Sequence, residues 1–420
     1  MAQQNLHADT LVCRVGVETT FGTTATNMIR VIPDGSQIPL AELTTEMLPV
    51  KDLSPHAEDA RAPQRGLQRG SVKLRFLAKR LATRITAAVT PVAYTNSAAL
   101  SHQILMAHWF GGENTATGST LNGALSAAVT SITVTSGTPF SVGQMIGIVT
   151  SAGLQAYLVT SKSGAALGIW PALRASAADL AVVTGSYTYF RPEAHDGPPL
   201  TFEAAQYESG TPASQRRLRG VYGGAKVTFA VGQETVIEFA GEGSAHDGPG
   251  NLSIPLTAAA DDMGAALGAW VPEVVFQTGS TYAVYTCHSF AVDVPNAWHW
   301  ITEGSGTGAR NGATRVKAKD GPATFELKLR MDAAEYTSFE ADTSRYLMLA
   351  TTVGTGTSAR ITGVLIARAA VTMEPAQYDE NGLVYVTLKG IALQDTATAG
   401  SPAASTSTDL SRSPIRYFML

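Results

Sequence analysis

The sequence predicts a mainly-β fold of two tandem β-sandwich or barrel domains, each with a short flanking helix, plus a small inserted β-domain. Three observations carry this. Arg65 to Arg80 (RGLQRGSVKLRFLAKR) alternates after Gly70, with Val72, Leu74 and Phe76 on one side and Lys73 and Arg75 on the other. That period of two marks a half-buried strand, and it returns at Ala323 to Arg330, where Phe325, Leu327 and Leu329 oppose Glu326, Lys328 and Arg330. Second, Arg217 to Phe229 and Arg360 to Met373 both open Arg-x-x-Gly-Val and reach Val-Thr plus an apolar residue, and each precedes a further strand pattern, Thr235 to Phe239 and Leu383 to Leu388. Matched pairs in the same order indicate an internal duplication; the plainer alternative is two unrelated β-domains with similar local patterns. Third, 40 Gly, 20 Pro and only 15% charged residues among 420 suit many turns and a surface partly hidden in an assembly.

Taken in order, Leu11 to Glu18 alternates as a first strand. More than forty residues with turn residues but little periodicity follow, and a connection of that length is expected to be functional or a binding arm. Its charge is segregated: residues 41–60 carry Glu42, Glu46, Asp52, Glu58 and Asp59 against Lys51 alone, while residues 61–80 carry Arg61, Arg65, Arg69, Lys73, Arg75, Lys79 and Arg80 and no acid. A solvated loop beside a strand is one reading. The other is an arm whose acidic and basic halves meet complementary surfaces of neighbouring copies. Asn96 to Phe110 predicts a helix capped by Asn96 or Ser97, with a stripe of Leu100, Ile104, Leu105 and Met106, ended by Gly111-Gly112.

Residues 114–189 are nearly uncharged and rich in Thr, Ser and Gly, with strand patterns at Ile132–Thr135, Met145–Val149 and Ala156–Thr160. They read as a β-domain inserted on an exposed loop, removable without loss of assembly. The first domain is therefore expected over 1–113 and 190–245, and the second over 250–395. The second contains a long strand at Tyr282–Val294 and a short helix at Asp332–Asp342. Residues 396–420 read as a flexible arm ending in the apolar tip PIRYFML, where Tyr417 and Phe418 anchor on another copy or subunit, or the arm is simply disordered.

A search for chemistry finds no nucleophile elbow, zinc-protease, Walker or Cys-x-x-Cys motif. Gly304 to Ala309 matches a dinucleotide pattern formally but leads toward a strand, so no helix N-terminus would meet a phosphate. His102 and His108 are six apart and share no helical face, and the three Asp-Gly-Pro sites read as turns. No catalytic residue, cofactor or metal is expected, and the chain is not expected to be an enzyme. Cys13 and Cys287 sit in apolar strand patterns and read as buried thiols. A net charge of −4 argues against a surface that grips nucleic acid throughout. No apolar run is long enough for a membrane span or anchor, so a soluble protein is expected.

The opening strand followed by Val17-Glu18-Thr19-Thr20-Phe21-Gly22-Thr23-Thr24, the long arm, the Arg65–Arg80 strand, the helix and the Arg-x-x-Gly-Val strand pair together resemble the tail tube proteins of phages with long non-contractile tails. The resemblance covers most of the chain except the insert and the last 25 residues. It implies β-sandwich subunits whose strands join into a ring, stacked head to tail, with the arm bridging rings. Double-stranded DNA passes through the lumen unbound during ejection, and a tape measure protein and a tail terminator are the further partners. It places the protein in the virion tail, assembled in the host cytoplasm. With two tube domains per chain, three chains would complete a ring that usually takes six, so a trimer is favoured over a hexamer. Ring and stacking candidates are Glu58, Asp59, Arg61, Arg65 and Arg69, and the insert would sit on the tube exterior. The alternative class is another β-rich virion decoration protein or a carbohydrate-binding adhesin, which should show clustered exposed aromatics in a concave site.

Overall fold

A computed structural model describes residues 11–33, 42–48, 64–96, 99–193, 197–208, 211–243, 245–247, 254, 263–266, 273–278, 281–296, 298–301, 314–317, 321–330, 345–374, 377–378, 384–395 and 408–420. The chain is mainly β. It opens with β1 (Leu11–Val17), β2 (Ile29–Val31), β3 (Glu42–Leu48), β4 (Gln64–Leu77), β5 (Lys79–Leu81), helix α1 (Ser101–Phe110) and β6 (Gly112–Ala116). Next come β7 (Ser119–Thr120), β8 (Ser131–Thr133), β9 (Met145–Thr150), β10 (Gly153–Ser163), β11 (Ala166–Trp170) and β12 (Val182–Thr184). The strands β13 (Ser186–Phe190), β14 (Leu200–Glu208), β15 (Thr211–Ala230), β16 (Val236–Gly243) and β17 (Ala245–Asp247) complete the first half. The second half holds β18 (Met263–Ala266), β19 (Glu273–Thr278), β20 (Thr281–Val294), β21 (Trp298–Ile301), β22 (Thr314–Lys317), β23 (Thr324–Arg330) and β24 (Arg345–Val353). It ends with β25 (Arg360–Met373), β26 (Gln377–Tyr378), β27 (Val384–Leu393), helix α2 (Asp409–Arg412) and β28 (Ile415–Met419).

Pairing order repeats between the halves. One antiparallel succession runs β1–β14–β15–β16–β4, and another runs β19–β24–β25–β27–β23. Strand β20 joins them, its C-terminal half lying between β15 and β23 and its N-terminal half along β19. Alternation decides which face is covered: Val72, Leu74 and Phe76 in β4 and Phe325, Leu327 and Leu329 in β23 all enter one core that spans both halves. The connection expected to lack periodicity contains two of these strands, β2 and β3. Strand β3 (ELTTEML) forms because β4 offers it backbone partners from Gln64 to Ser71, not because its own side chains alternate.

Helix α1 starts later than expected, at Ser101 with Leu100 in the capping position, and all ten of its residues are buried rather than one stripe. The sheet encloses it, so its polar groups are paired internally. The indole of Trp109 donates to Val294 O at 2.8 Å, and Lys79 N donates to His102 Nε2 at 3.2 Å. Gly223 N donates to His108 Nε2 at 3.1 Å, while His108 Nδ1 lies 2.5 Å from Pro198 O, which fixes a neutral ring. Gly111, at φ 89°, ends the helix as expected. The helix expected at 332–342 lies outside the described residues.

Strands β7 to β12 form a separate six-stranded sheet in the order β7-β12-β9-β10-β11-β8, and a bridge between Leu121 and Val134 closes it into a small barrel. Ile132, Ile146, Tyr157, Leu167 and Val183 fill it. It does not hang from an exposed loop. Met145, Leu154, Leu158 and Trp170 on its wall pack against Val275, Met348, Leu365 and Phe418 of the second half, and Arg174 pairs with Glu273 at 2.6 Å.

The tip of the chain also departs from expectation. Tyr417 and Phe418 do not reach for another molecule: β28 lies between β25 and β13 of its own chain, and both residues are fully buried. Successive side chains of β28 face opposite ways, and each face is apolar because each meets a different core. Ile415, Tyr417 and Met419 join the main core, and Phe418 joins the one beneath the barrel. Arg416 is buried with them, its guanidinium donating to Leu410 O and Ser411 O at 2.6–2.9 Å.

Candidate assembly edges and buried ion sites

The joint between the halves shows what a completed edge looks like. Strands β15 and β20 pair from Ala225–Val294 to Ala230–Ser289, with Val227, Phe229, Phe290 and Val292 fully buried beneath them. Two other strands lack such a neighbour among the described residues. The C-terminal half of β25 pairs β27 alone, and Val371 and Met373, which carry the same Val-Thr-apolar motif as Val227 and Phe229, are only half-buried. Strand β3 pairs β4 alone. In the first half, β2 beside β1 and β3 beside β4 take the places that the single long β20 takes beside β19 and β23. Among the described residues there is thus one made joint, plus one strand of each kind that forms it without such a neighbour. Exposed strand edges invite pairing with further strands.

The uncovered face of this sheet carries charges that alternate across strands. Arg75 on β4 lies opposite Glu238 on β16, Glu238 opposite Lys226 on β15, and Lys226 opposite Asp293 on β20. Further along, Glu326 faces Lys389, which pairs with Glu374 at 2.5 Å. Such exposed pairs add only ~0.2–1 kcal/mol each, but they neutralise the face and penalise mispaired strands. Above them a groove of about 400 Å³ is lined by Ser71, Lys73, Gly224, Glu242, Asn296 and Trp298. Its aromatic wall is a row in which Trp298 packs on Tyr222 at 4.0 Å between centroids and Tyr222 stacks with Phe21 at 6.1 Å.

Two sequence motifs meet at Glu18. Its buried carboxylate accepts from Gly22 N and Gly220 N, both at 2.7 Å, and from Thr201 Oγ1 at 2.8 Å. Gly22 and Gly220 have φ of 77° and 62°, so the Glu-x-x-Phe-Gly turn and the Arg-x-x-Gly-Val strand are tied through one side chain. Burial raises the pKa of Glu18, and these hydrogen bonds and Arg219 oppose the shift. Arg217, first residue of the same motif, shares the buried Glu203 with Arg14; its Nε donates to Glu203 Oε1 at 2.7 Å. Its counterpart in the second half, Arg360, pairs with no carboxylate among the described residues. It donates instead to the carbonyls of Thr357, Ala359 and Ala82 at 2.9–3.0 Å. Sequence reading named Glu18 only as part of the Val17–Thr24 motif and missed Glu203 and Arg84; an acid amid the small and apolar residues of LTFEAAQYE was the available clue for Glu203.

Of the expected ring and stacking residues, Glu58, Asp59 and Arg61 lie outside the described residues. Arg65 and Arg69 fall in β4, their backbones opposite Met47 and Thr44. Cys13 and Cys287 are buried and unbonded to each other, with burial the main cause that pushes each thiol up to about 12. Among the described residues no group of three His, Cys, Asp or Glu is placed to hold a metal, and no helix is long and apolar enough to cross a membrane. No protein-family model and no curated protein sequence matches the chain.

Proposed function

We propose that the chain is a structural virion protein, a tail tube subunit that assembles into stacked rings conducting DNA. The observation that carries this reading is the pairing order: among the described residues one joint is made inside the chain, and one strand of each kind is left without such a neighbour. If β25 of one copy takes β3 of the next as β15 takes β20, the contact is head to tail. Repetition closes a ring when the rotation per copy divides a full turn. With two repeats per chain, three copies supply six. The charge-alternating face, turned to the bore, would offer a polyanion no cation array to hold it. The virion tail is then the site of action, with a tape measure protein, a tail terminator and passing double-stranded DNA as partners.

Electron microscopy of the purified chain tests this. Long hollow filaments with threefold rings at side-chain detail are expected, and sixfold rings would replace the trimer by a hexamer. A monodisperse monomer at high concentration, seen by native mass spectrometry, would overturn the reading. One observation favours the second reading, an adhesin: the groove walled by Tyr222 and Trp298 is concave and aromatic, as a saccharide site requires. Glycan-array binding without filaments would select it.

A further inference from the structure

Arg84 and Arg360 are each more than nine-tenths buried, and both guanidiniums donate to the same acceptor, Ala359 O, at 3.1 and 2.9 Å. Arg84 adds Gly356 O at 2.5 Å, so the loop 354–360 is held through carbonyls alone. Arg80 lies on β5, which packs beside β25, and adds a third positive charge next to Arg360. Backbone carbonyls carry only partial charge, so they solvate these cations without neutralising them. No carboxylate pairs with any of the three among the described residues. Nε of Arg84 and Nε of Arg360 are buried and lack an acceptor. The lowered pKa values of both agree, with burial as the main cause and, for Arg360, its arginine neighbours next. At the matching position of the first half the same motif arginine, Arg217, has Glu203. Among the described residues the second half therefore has the cation and no paired anion, and like charges gathered in a poorly hydrated junction call for a further counter-charge.

We propose that Arg80, Arg84 and Arg360 form an oxyanion site that takes carboxylates from the acidic segment of a second copy. Residues 41–60 supply that chemistry, with five acids against Lys51. The arginine site lies between the loop after β5 and the loop before β25, where Arg360 Nη2 reaches Ala82 O and Arg84 Nη2 reaches Gly356 O. Association of copies rests on the tube reading, but binding at the site can be measured without rings.

The test titrates a labelled synthetic peptide of residues 41–60 into dilute full-length chain, followed by fluorescence anisotropy. Binding weakened by added salt is expected. Arg80→Glu, which changes the least buried of the three, should cut affinity at least tenfold while its thermal unfolding stays that of the wild type. A peptide with its five acids replaced by Lys should bind neither chain, because Arg84 and Arg360 keep the site cationic in both. Inorganic phosphate should compete with the acidic peptide. Equal binding to wild type and Arg80→Glu, or no peptide binding, overturns the proposal; a phosphate-induced Tm rise without peptide binding means an adventitious ion only, and overturns it too. Peptide binding by a chain that never forms filaments would leave this site standing and remove the tube.

Discussion

The two halves share a strand order but finish it differently. In the first, Val227 and Phe229 are sealed by β20, and Arg217 is matched by Glu203. In the second, Val371 and Met373 remain half-buried beside an edge without a described neighbour, and Arg360 leans on carbonyls. The comparison teaches that one pattern becomes sealed core where a partner strand of the same chain covers it and stays half-buried where no described strand does. Apolar residues left partly exposed and cations left without anions are the marks of the unfinished copy.

The largest effect should come from removing what covers the second half. Ending the chain after Pro414 uncovers both cores touching β28, and aggregation is expected on expression. The milder Phe418→Ala should cost about 3–5 kcal/mol in urea unfolding. Deleting residues 119–184 should also aggregate, because Met348 and Leu365 lose the barrel wall; a soluble, monodisperse deletion product would show that the barrel is separable after all.

Glu203→Gln comes next, at about 3 kcal/mol, since it takes the buried carboxylate away from the half-buried Arg14 and Arg217. Arg360→Met in the other half should cost less, because no ion pair is broken there. Equal losses in matched urea melts would erase the contrast between the halves.

A smaller effect concerns Glu113, whose carboxylate is raised to about 7, mainly by burial, although Tyr94 N and Gln103 Nε2 donate to it. The folded state thus holds the proton more tightly than the unfolded one. This group's contribution is most favourable below about pH 4.5 and declines as pH rises to 7, by up to about 3 kcal/mol. Glu113→Gln should flatten that part of the Tm–pH curve. The smallest effect is Arg75→Ala, within ~1 kcal/mol, because its pair with Glu238 at 3.9 Å is exposed.

Much of the fold was legible because alternation is local: β4, β15, β23, β25 and the barrel strands β8, β9 and β10 lie where their own residues put them. Three things were not. Strand β3 is specified by its partner's backbone, and ELTTEML shows no period. Helix α1 lacks a solvent face because the sheet surrounds it and supplies partners to His102, His108 and Trp109, and no window of its own sequence states that. The fate of Tyr417 and Phe418 depended on a slot between β13 and β25, more than two hundred residues from one of them and about fifty from the other. For the candidate site, the Arg-x-x-Gly-Val motif was visible twice, but which copy had found its acid was a question of tertiary pairing.

Strand β28 is translated after every strand it touches. Until residues 415–419 clear the ribosome, the slot between β13 and β25 stays vacant and the barrel rests on an incomplete seat. A nascent chain therefore has no finished second half until synthesis has passed this point, and the order of translation sets the order in which its cores close.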